Sequence, residues 1–331
     1  MKLSTALKFL LSLSLAGIIF YFVFKNVKWA EFVEQLEHVN YWWVLLSIII
    51  ATLSHILRAF RWRLMLKPLG HNVSLRRLFY ALMSGYLANL VFPRLGEVTR
   101  CGVLKKTNNV PISMSFGTVV IERLLDLVIL LSMVILDLIL EFDKVFEFFK
   151  EAVRWEQRGF DIIHVFIVVA AVISLGILSV YSIRRLLKRE FSNALMIKIS
   201  LKVKDLMNGL LSIRTVQNPG LFILTSLGIW VCYFLMSYVI FFSVKETSGL
   251  SIGAGLSILA AAGIAMATPV QGGIGAYHFL VSQVLILYGI GVEVSKFFAF
   301  LLHTSQVVFI LSVGGVCMII ASFISKKRPI Q

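Results

Sequence analysis

Acidic residues are scarce in this chain: 17 Asp and Glu stand against 32 Lys and Arg, a formal net charge of +15 at pH 7. A surplus of that size invites a nucleic-acid partner. The cations, however, flank apolar runs, as juxtamembrane anchors do, and no nucleic-acid partner is expected. Cysteine is scarcer still. Cys101, Cys232 and Cys317 are scattered, odd in number and set in apolar surroundings. No CxxC or Cys/His cluster occurs, which argues against a metal site or a disulfide framework. The phosphate-cradling pattern GxxxxGKS/T is missing throughout, so no ATP-driven step and no cofactor are expected. The apolar runs lack the alternation of barrel strands, which excludes a β-barrel. No small-residue cleavage site follows the first run at Phe24, so it reads as a retained helix and not as a removed signal peptide.

Apolar residues are what the chain has in quantity, 59% of the total, where a soluble domain has about 45–50%. Runs of about 20 such residues cross the hydrocarbon core as helices. The chain therefore reads as an all-α polytopic membrane protein with one transmembrane domain over 1–331, in the cytoplasmic (inner) membrane. Six uninterrupted spans are predicted: Leu7–Phe24, Tyr41–Phe60, Gly117–Leu140, Ile162–Ile183, Leu221–Val244 and Phe297–Ile324. Two more apolar regions are broken, Leu78–Leu104 around Pro93 and Leu250–Ile290 around Pro269.

Charge orients these segments, because cytoplasmic loops carry the excess of Lys and Arg. Arg58, Arg61, Arg63, Lys67, Arg76, Arg77, Lys105, Lys106 and the cations after Ile183 fall on one side if both termini are cytoplasmic. Glu31, Glu34, Glu37 and the acidic stretch from Glu141 to Asp161 fall on the other. Arg76/Arg77 and Lys105/Lys106 then share a side, with a segment between them too short for two crossings. It must dip in and return as a re-entrant helical hairpin. By the same counting Leu250–Ile290 is a hairpin from the opposite face. The alternative is that Pro93 and Pro269 only kink ordinary spans. On the hairpin reading, residues 1–140 and 162–325 form inverted halves joined by an extracytoplasmic linker, 141–161. Each half holds an amphipathic stretch: "WAEFVEQLEHVN" in the first and a cytoplasmic segment, 184–219, in the second. Inverted repeats of this kind place a binding site near the midplane, between broken helices.

The breaks carry the candidate chemistry. In "NLVFPRLGEVTR" the proline removes a donor and the glycine permits a sharp turn, so a helix restarts near Leu95 with free amides and a positive dipole end. Pro93, Arg94, Gly96, Glu97 and Arg100 are candidates here, with headgroup contact as the plainer reading of the charges. In "TPVQGGIGAYH", Gln271, Gly272, Gly273, Gly275 and His278 follow Pro269. A glycine-rich turn feeding a helix can hold an anion, or can merely close a hairpin. In "IERLLDL", Glu122 and Asp126 share one helix face beside Arg123. Ionisable residues within a span are expensive and face the bundle interior; an ion-pair network that fixes register is the alternative. Asp137 reads as interfacial, and "RAFRWR" (58–63) as an anchor to lipid headgroups. His303 and Glu122 are candidates for proton coupling, and the polar row at 303–306 also fits interhelical hydrogen bonding. His55 is a second histidine candidate.

Taken in order, "RAFRWRLML", "GYLANLVFPRLGEVTR", "IERLLDL" and "TPVQGGIGAYH" resemble the lysylphosphatidylglycerol synthase transmembrane-region family, also called flippase-like. The resemblance covers nearly the whole chain. It implies a lipid-translocating role. In the multiple peptide resistance factor, a domain of this type moves aminoacylated phosphatidylglycerol outward, and other relatives are linked to polyprenyl-phosphate sugars. The motif positions that carry over are Asn89, Pro93, Arg94, Gly96, Glu97, Arg100, Glu122, Arg123, Asp126, Pro269, Gly272, Gly273 and Gly275. That factor also has a soluble aminoacyltransferase domain, whereas this sequence ends at "SKKRPIQ". The expectation is therefore a non-enzyme that flips a phospholipid or a polyprenyl-phosphate glycolipid without ATP hydrolysis. Its partners are membrane lipids, anionic or aminoacylated, and a separate lipid synthase is a further candidate partner. The rivals are a membrane-embedded lipid-phosphate transferase or hydrolase, and a non-transporting partner of a synthase.

Overall fold

The computed structural model describes residues 29–142 and 194–326 except Pro269, together with Ser14, residues 17–18 and 20–25, Val27 and Lys144. The expected span Ile162–Ile183, most of Leu7–Phe24 and nearly all of the 141–161 linker lie outside the described residues, as does Pro269. Among the described residues the regular elements are all helices. They are α1 (Trp29–Glu37), α2 (Tyr41–Leu66), α3 (Leu75–Val91), α4 (Leu95–Asn108), α5 (Ile112–Leu140), α6 (Ala194–Leu211), α7 (Pro219–Tyr238), α8 (Ile252–Ala267), α9 (Ala276–Leu287) and α10 (Val292–Lys326).

Three stretches are long and apolar enough to cross a membrane: Tyr41–Leu69, Pro219–Ser243 and Val292–Ser325. Helix α5, at 29 residues, reaches about 43 Å; it is set apart by its charges, Glu122, Arg123, Asp126 and Asp137. Large apolar side chains point outward along these helices, among them Ile49, Val128, Ile135, Val231 and Leu311. In water such a surface would be an aggregation liability, whereas in lipid it is simply wetted. Helix α2 runs past its expected end at Phe60 to Leu66. The arginines that suggested an end are paired inside the protein, so the helix has no reason to stop there. Asn40 starts this helix by accepting the Trp42 amide at 3.2 Å.

Helices α3 and α4 form an antiparallel hairpin. At its joint Phe92 is extended, Pro93 has no amide to donate, and Arg94 takes left-handed geometry at φ 62°. Below the joint the backbones touch. A Cβ on Gly85 would sit 2.8 Å from the Gly96 carbonyl oxygen, and one on Gly96 would run into that of Gly85. With 17 and 14 residues, the limbs reach only about 26 and 21 Å, short of the roughly 30 Å hydrocarbon core. Helices α8 and α9 repeat the arrangement with 16 and 12 residues, joined through 268–275.

Packing places the two hairpins at opposite ends of the bundle. The first shares a core with the late part of α2 and the start of α5: Trp62, Leu66, Leu78, Leu82, Leu104 and Val119. The second shares one with the start of α2, the 3₁₀ turn Val239–Ser243 after α7 and the early part of α10: Val44, Phe241, Ile258, Val281, Phe297 and Leu302. Helix α10 spans both. Its His303 meets the second joint, and a Cβ on Gly314 would lie 3.0 Å from the Met83 carbonyl of α3. Helix α6 is seated on the start of α5, where Gly117 and Gly209 face each other too closely for any side chain. There Ser113 donates to Asp205 Oδ2 at 3.2 Å.

Candidate functional site

Arg58 and Arg61, three residues apart, share one face of α2. Glu122 and Asp126, four apart, share one face of α5. The two faces meet. Arg58 Nη2 reaches Glu122 Oε1 at 3.0 Å and Asp126 Oδ2 at 2.6 Å. Arg61 Nη2 reaches Glu122 Oε1 at 3.3 Å and Asp126 Oδ1 at 2.7 Å. From α4, Arg100 Nη2 lies 3.1 Å from Glu122 Oε2, and its guanidinium stacks 4.8 Å above the Trp62 ring. Trp62 is held in turn by its indole N–H, which donates to Thr118 Oγ1 at 2.8 Å. Arg58 also donates to the Tyr233 hydroxyl of α7. The "RAFRWR" segment is thus no headgroup anchor: Arg58, Arg61 and Trp62 are buried, because α5 supplies their counter-charges within the bundle. Arg100, read equally as a headgroup contact, is buried for the same reason.

The network opens at one edge. Arg123 Nε lies 3.3 Å from Glu97 Oε1, and Arg123 Nη1 lies 3.8 Å from Asp126 Oδ2. The Arg123 side chain is 39% exposed and that of Glu97 is 19% exposed, whereas those of Arg61 and Glu122 are at 0% and 1%. Four guanidiniums (Arg58, Arg61, Arg100, Arg123) face three carboxylates (Glu97, Glu122, Asp126), a formal surplus of one positive charge. Donors are left over as well. Arg100 Nε and Nη1 and Arg61 Nε are buried without a hydrogen-bond partner among the described residues, and so is the acceptor Glu97 Oε2.

Around the first joint the amides are largely used. The Leu95 amide bonds the Phe92 carbonyl at 3.2 Å, and the Gly96 amide donates to Asn89 Oδ1 at 2.6 Å. Asn89 thus acts as the cap of α4. Arg94 is exposed, and its side chain has no partner among the described residues. In the glycine-rich turn the amides of Gly273 and Ile274 bond Val270 and Gln271 carbonyls. The Gly275 amide reaches His278 Nδ1 at 3.3 Å. Glycine is required at 272, 273 and 275, which all sit at positive φ.

The two joints touch. Gln271 Nε2 donates to the Val91 carbonyl at 2.7 Å, capping the end of α3 from the other hairpin, and Gly272 lies against Leu90. His303 Nε2 is 2.8 Å from the Gly272 carbonyl, and its ring is 4.8 Å from that of His278. His278 Nε2 is buried and unpartnered among the described residues. The structure therefore gathers Glu97, Arg100, Glu122, Arg123 and Asp126 in one network. A second group gathers Gln271, Gly272, Gly273, Gly275, His278 and His303 at the meeting of the joints. Other expectations move. Asp137 is not interfacial: it is buried and accepts from Ser257 Oγ of α8 at 2.7 Å. His55 is packed between the rings of Tyr86 and Phe309.

The lysylphosphatidylglycerol synthase TM region family matches residues 7–314, nearly the whole length. The chain belongs to that family. Among curated relatives, the UPF0104 membrane protein MJ1595 of Methanocaldococcus jannaschii is 30% identical over 104 residues, 30% of this chain and 31% of the relative. The glycosyltransferase AglD of Haloferax volcanii is 34% identical over 82 residues, 24% of this chain and 13% of the relative. The matched stretches thus span less than a third of either relative's own length. No solved structure matches. Membership makes this a membrane protein, and the stretch "RAFRWRLML" holds the two arginines that composition alone left as anchors. Their i, i+3 spacing, set against the i, i+4 spacing of Glu122 and Asp126, is the signal that pairs them.

Proposed function

We propose that the chain carries a phosphate-bearing lipid headgroup across the bilayer, while the acyl or polyprenyl tails stay in lipid. The observation that carries this reading is a largely buried network with one cation in surplus, which Glu97 and Arg100 join from the helix that restarts at the first joint. A buried charge without a partner is unfavourable, and a lipid phosphate docking at the open Arg123–Glu97 edge supplies the missing anion. Arg94, exposed at the joint, is the second contact. Glu122 and Asp126 hold the inner arginines in place. Because the joint amides are mostly engaged, side chains carry the recognition. The two hairpins act as re-entrant elements from opposite leaflets, within an inverted repeat of six full spans, in the cytoplasmic membrane with both termini on the cytoplasmic side. The cargo is a phospholipid, anionic or aminoacylated, or a polyprenyl-phosphate glycolipid; the glycosyltransferase name of one relative fits a sugar-bearing cargo. On this reading the chain acts as a transporter and not as an enzyme. The membrane potential supplies about 2.3 kcal/mol per charge per 100 mV, which with the inside negative favours outward movement of an anionic headgroup.

The test is reconstitution into vesicles with fluorescent phosphatidylglycerol or a fluorescent polyprenyl-phosphate sugar. Wild-type protein speeds crossing of at least one of them, and the Arg94→Ala/Glu97→Ala double variant does not. Equal rates for wild type and variant with every candidate lipid would rule the reading out. Release of a hydrolysed or transferred product in the same vesicles would replace it with lipid-phosphate chemistry.

A further inference from the structure

At the end of the first hairpin away from its joint lies a cavity of about 450 Å³, apart from the charge network. Arg76, Arg77 and Tyr80, from the first turns of α3, line one side, and Asn108 closes it at the end of α4. No carboxylate lines it. Among the described residues neither arginine has an ion-pair partner. The amides on its rim are biased the same way. Asn72 Oδ1 accepts from Arg63 at 3.4 Å and Asn108 Oδ1 lies 2.9 Å from the Thr107 hydroxyl, so each amide keeps its NH₂ donor for a ligand beside one remaining oxygen lone pair. Ser74 leaves the first turn of α3 without a side-chain cap, so that helix end adds its partial positive charge. Two guanidiniums, two amide donors and an uncapped helix start make a site for an oxyanion.

The opposite wall is apolar. Ile320 and Ile324 come from the last turns of α10, and on the same helix Ile319 and Phe323 are 58% and 61% exposed. These residues continue from the cavity mouth onto the lipid-facing surface. Lys105 and Lys106, in the last turn of α4, mark this as the cation-rich end. A ligand that satisfies both walls is anionic at one end and apolar at the other. We propose that this cavity binds the phosphate of an anionic phospholipid from the leaflet at the cation-rich end, its acyl chains lying along α10. The proposal stands whether or not the protein translocates lipid.

The test uses the full chain in dodecyl maltoside, with bound lipid read by native mass spectrometry across a titration of phosphatidylglycerol or phosphatidylcholine. Phosphatidylglycerol is expected to bind the tighter. The Arg76→Gln/Arg77→Gln variant weakens it about thirtyfold, from two cations each contributing to headgroup binding. The Lys105→Gln/Lys106→Gln variant loses the same charge at the same end but outside the lining, and binds as wild type. Ile324→Asp keeps both arginines and places a carboxylate in the cavity, so it weakens binding even if the double variant folds poorly. Equal weakening in the two glutamine variants would overturn the proposal in favour of diffuse surface charge. Displacement of the lipid by an equal concentration of inorganic phosphate would overturn it in favour of a free-phosphate site.

Discussion

Glu122 is the residue on which the charged network turns. It faces three guanidiniums, those of Arg58, Arg61 and Arg100, from two different helices. Taking one partner out of a buried ion pair costs about 3–5 kcal/mol, because the other charge is left without compensation. Glu122→Gln, similar in shape, is therefore expected to lower the thermal unfolding midpoint sharply, or to prevent recovery of monodisperse protein in detergent. A midpoint unchanged from wild type would show that the pairings add nothing. Arg123→Gln makes the contrast. Its pair with Glu97 is only partly enclosed by protein, so its loss should cost less than that of Glu122. The variant should melt close to wild type yet lose lipid transfer in the vesicle assay. A variant that transfers lipid normally would remove Arg123 from the proposed headgroup contact.

At the scale of elements, the hairpins depend on backbone contact more than on side chains. Gly96→Ala forces a Cβ against the Gly85 carbonyl and the Asn89 amide, so the limbs must part. A clear fall in the unfolding midpoint is expected, readable by nanoscale fluorimetry. Gly315→Ala on α10 meets nothing within 4 Å and should be neutral or slightly stabilising, as Gly→Ala in a helix usually is. Equal effects would mean that the close approach does not matter. These elements were legible in the sequence to the extent that local chemistry writes them. Pro93 and the 272–275 glycines interrupt apolar runs, and they place both joints correctly. The amphipathic "WAEFVEQLEHVN" is indeed helical over Trp29–Glu37. What the sequence hid was partnership. An arginine near the end of an apolar run looks the same whether it faces a headgroup or a carboxylate two helices away, so Arg58, Arg61 and Trp62 read as anchors. Nor could composition reveal that Asn89 and His278 engage the very amides that the motif seemed to leave for a ligand.

For the whole molecule, two discontinuous helix pairs packed at opposite ends of the bundle meet at Gln271 and Val91. Helices α2 and α10 run the length of both cores and hold the pairs in register. The most direct measurement is sided labelling in intact and permeabilised cells, with single cysteines introduced after replacing Cys101, Cys232 and Cys317. The account predicts that Arg76→Cys and Lys105→Cys label from one side of the membrane, and Gly249→Cys and Gly291→Cys from the other. Labelling of positions 76 and 105 from different sides would contradict it, because the first broken segment would then cross the bilayer as a single kinked span.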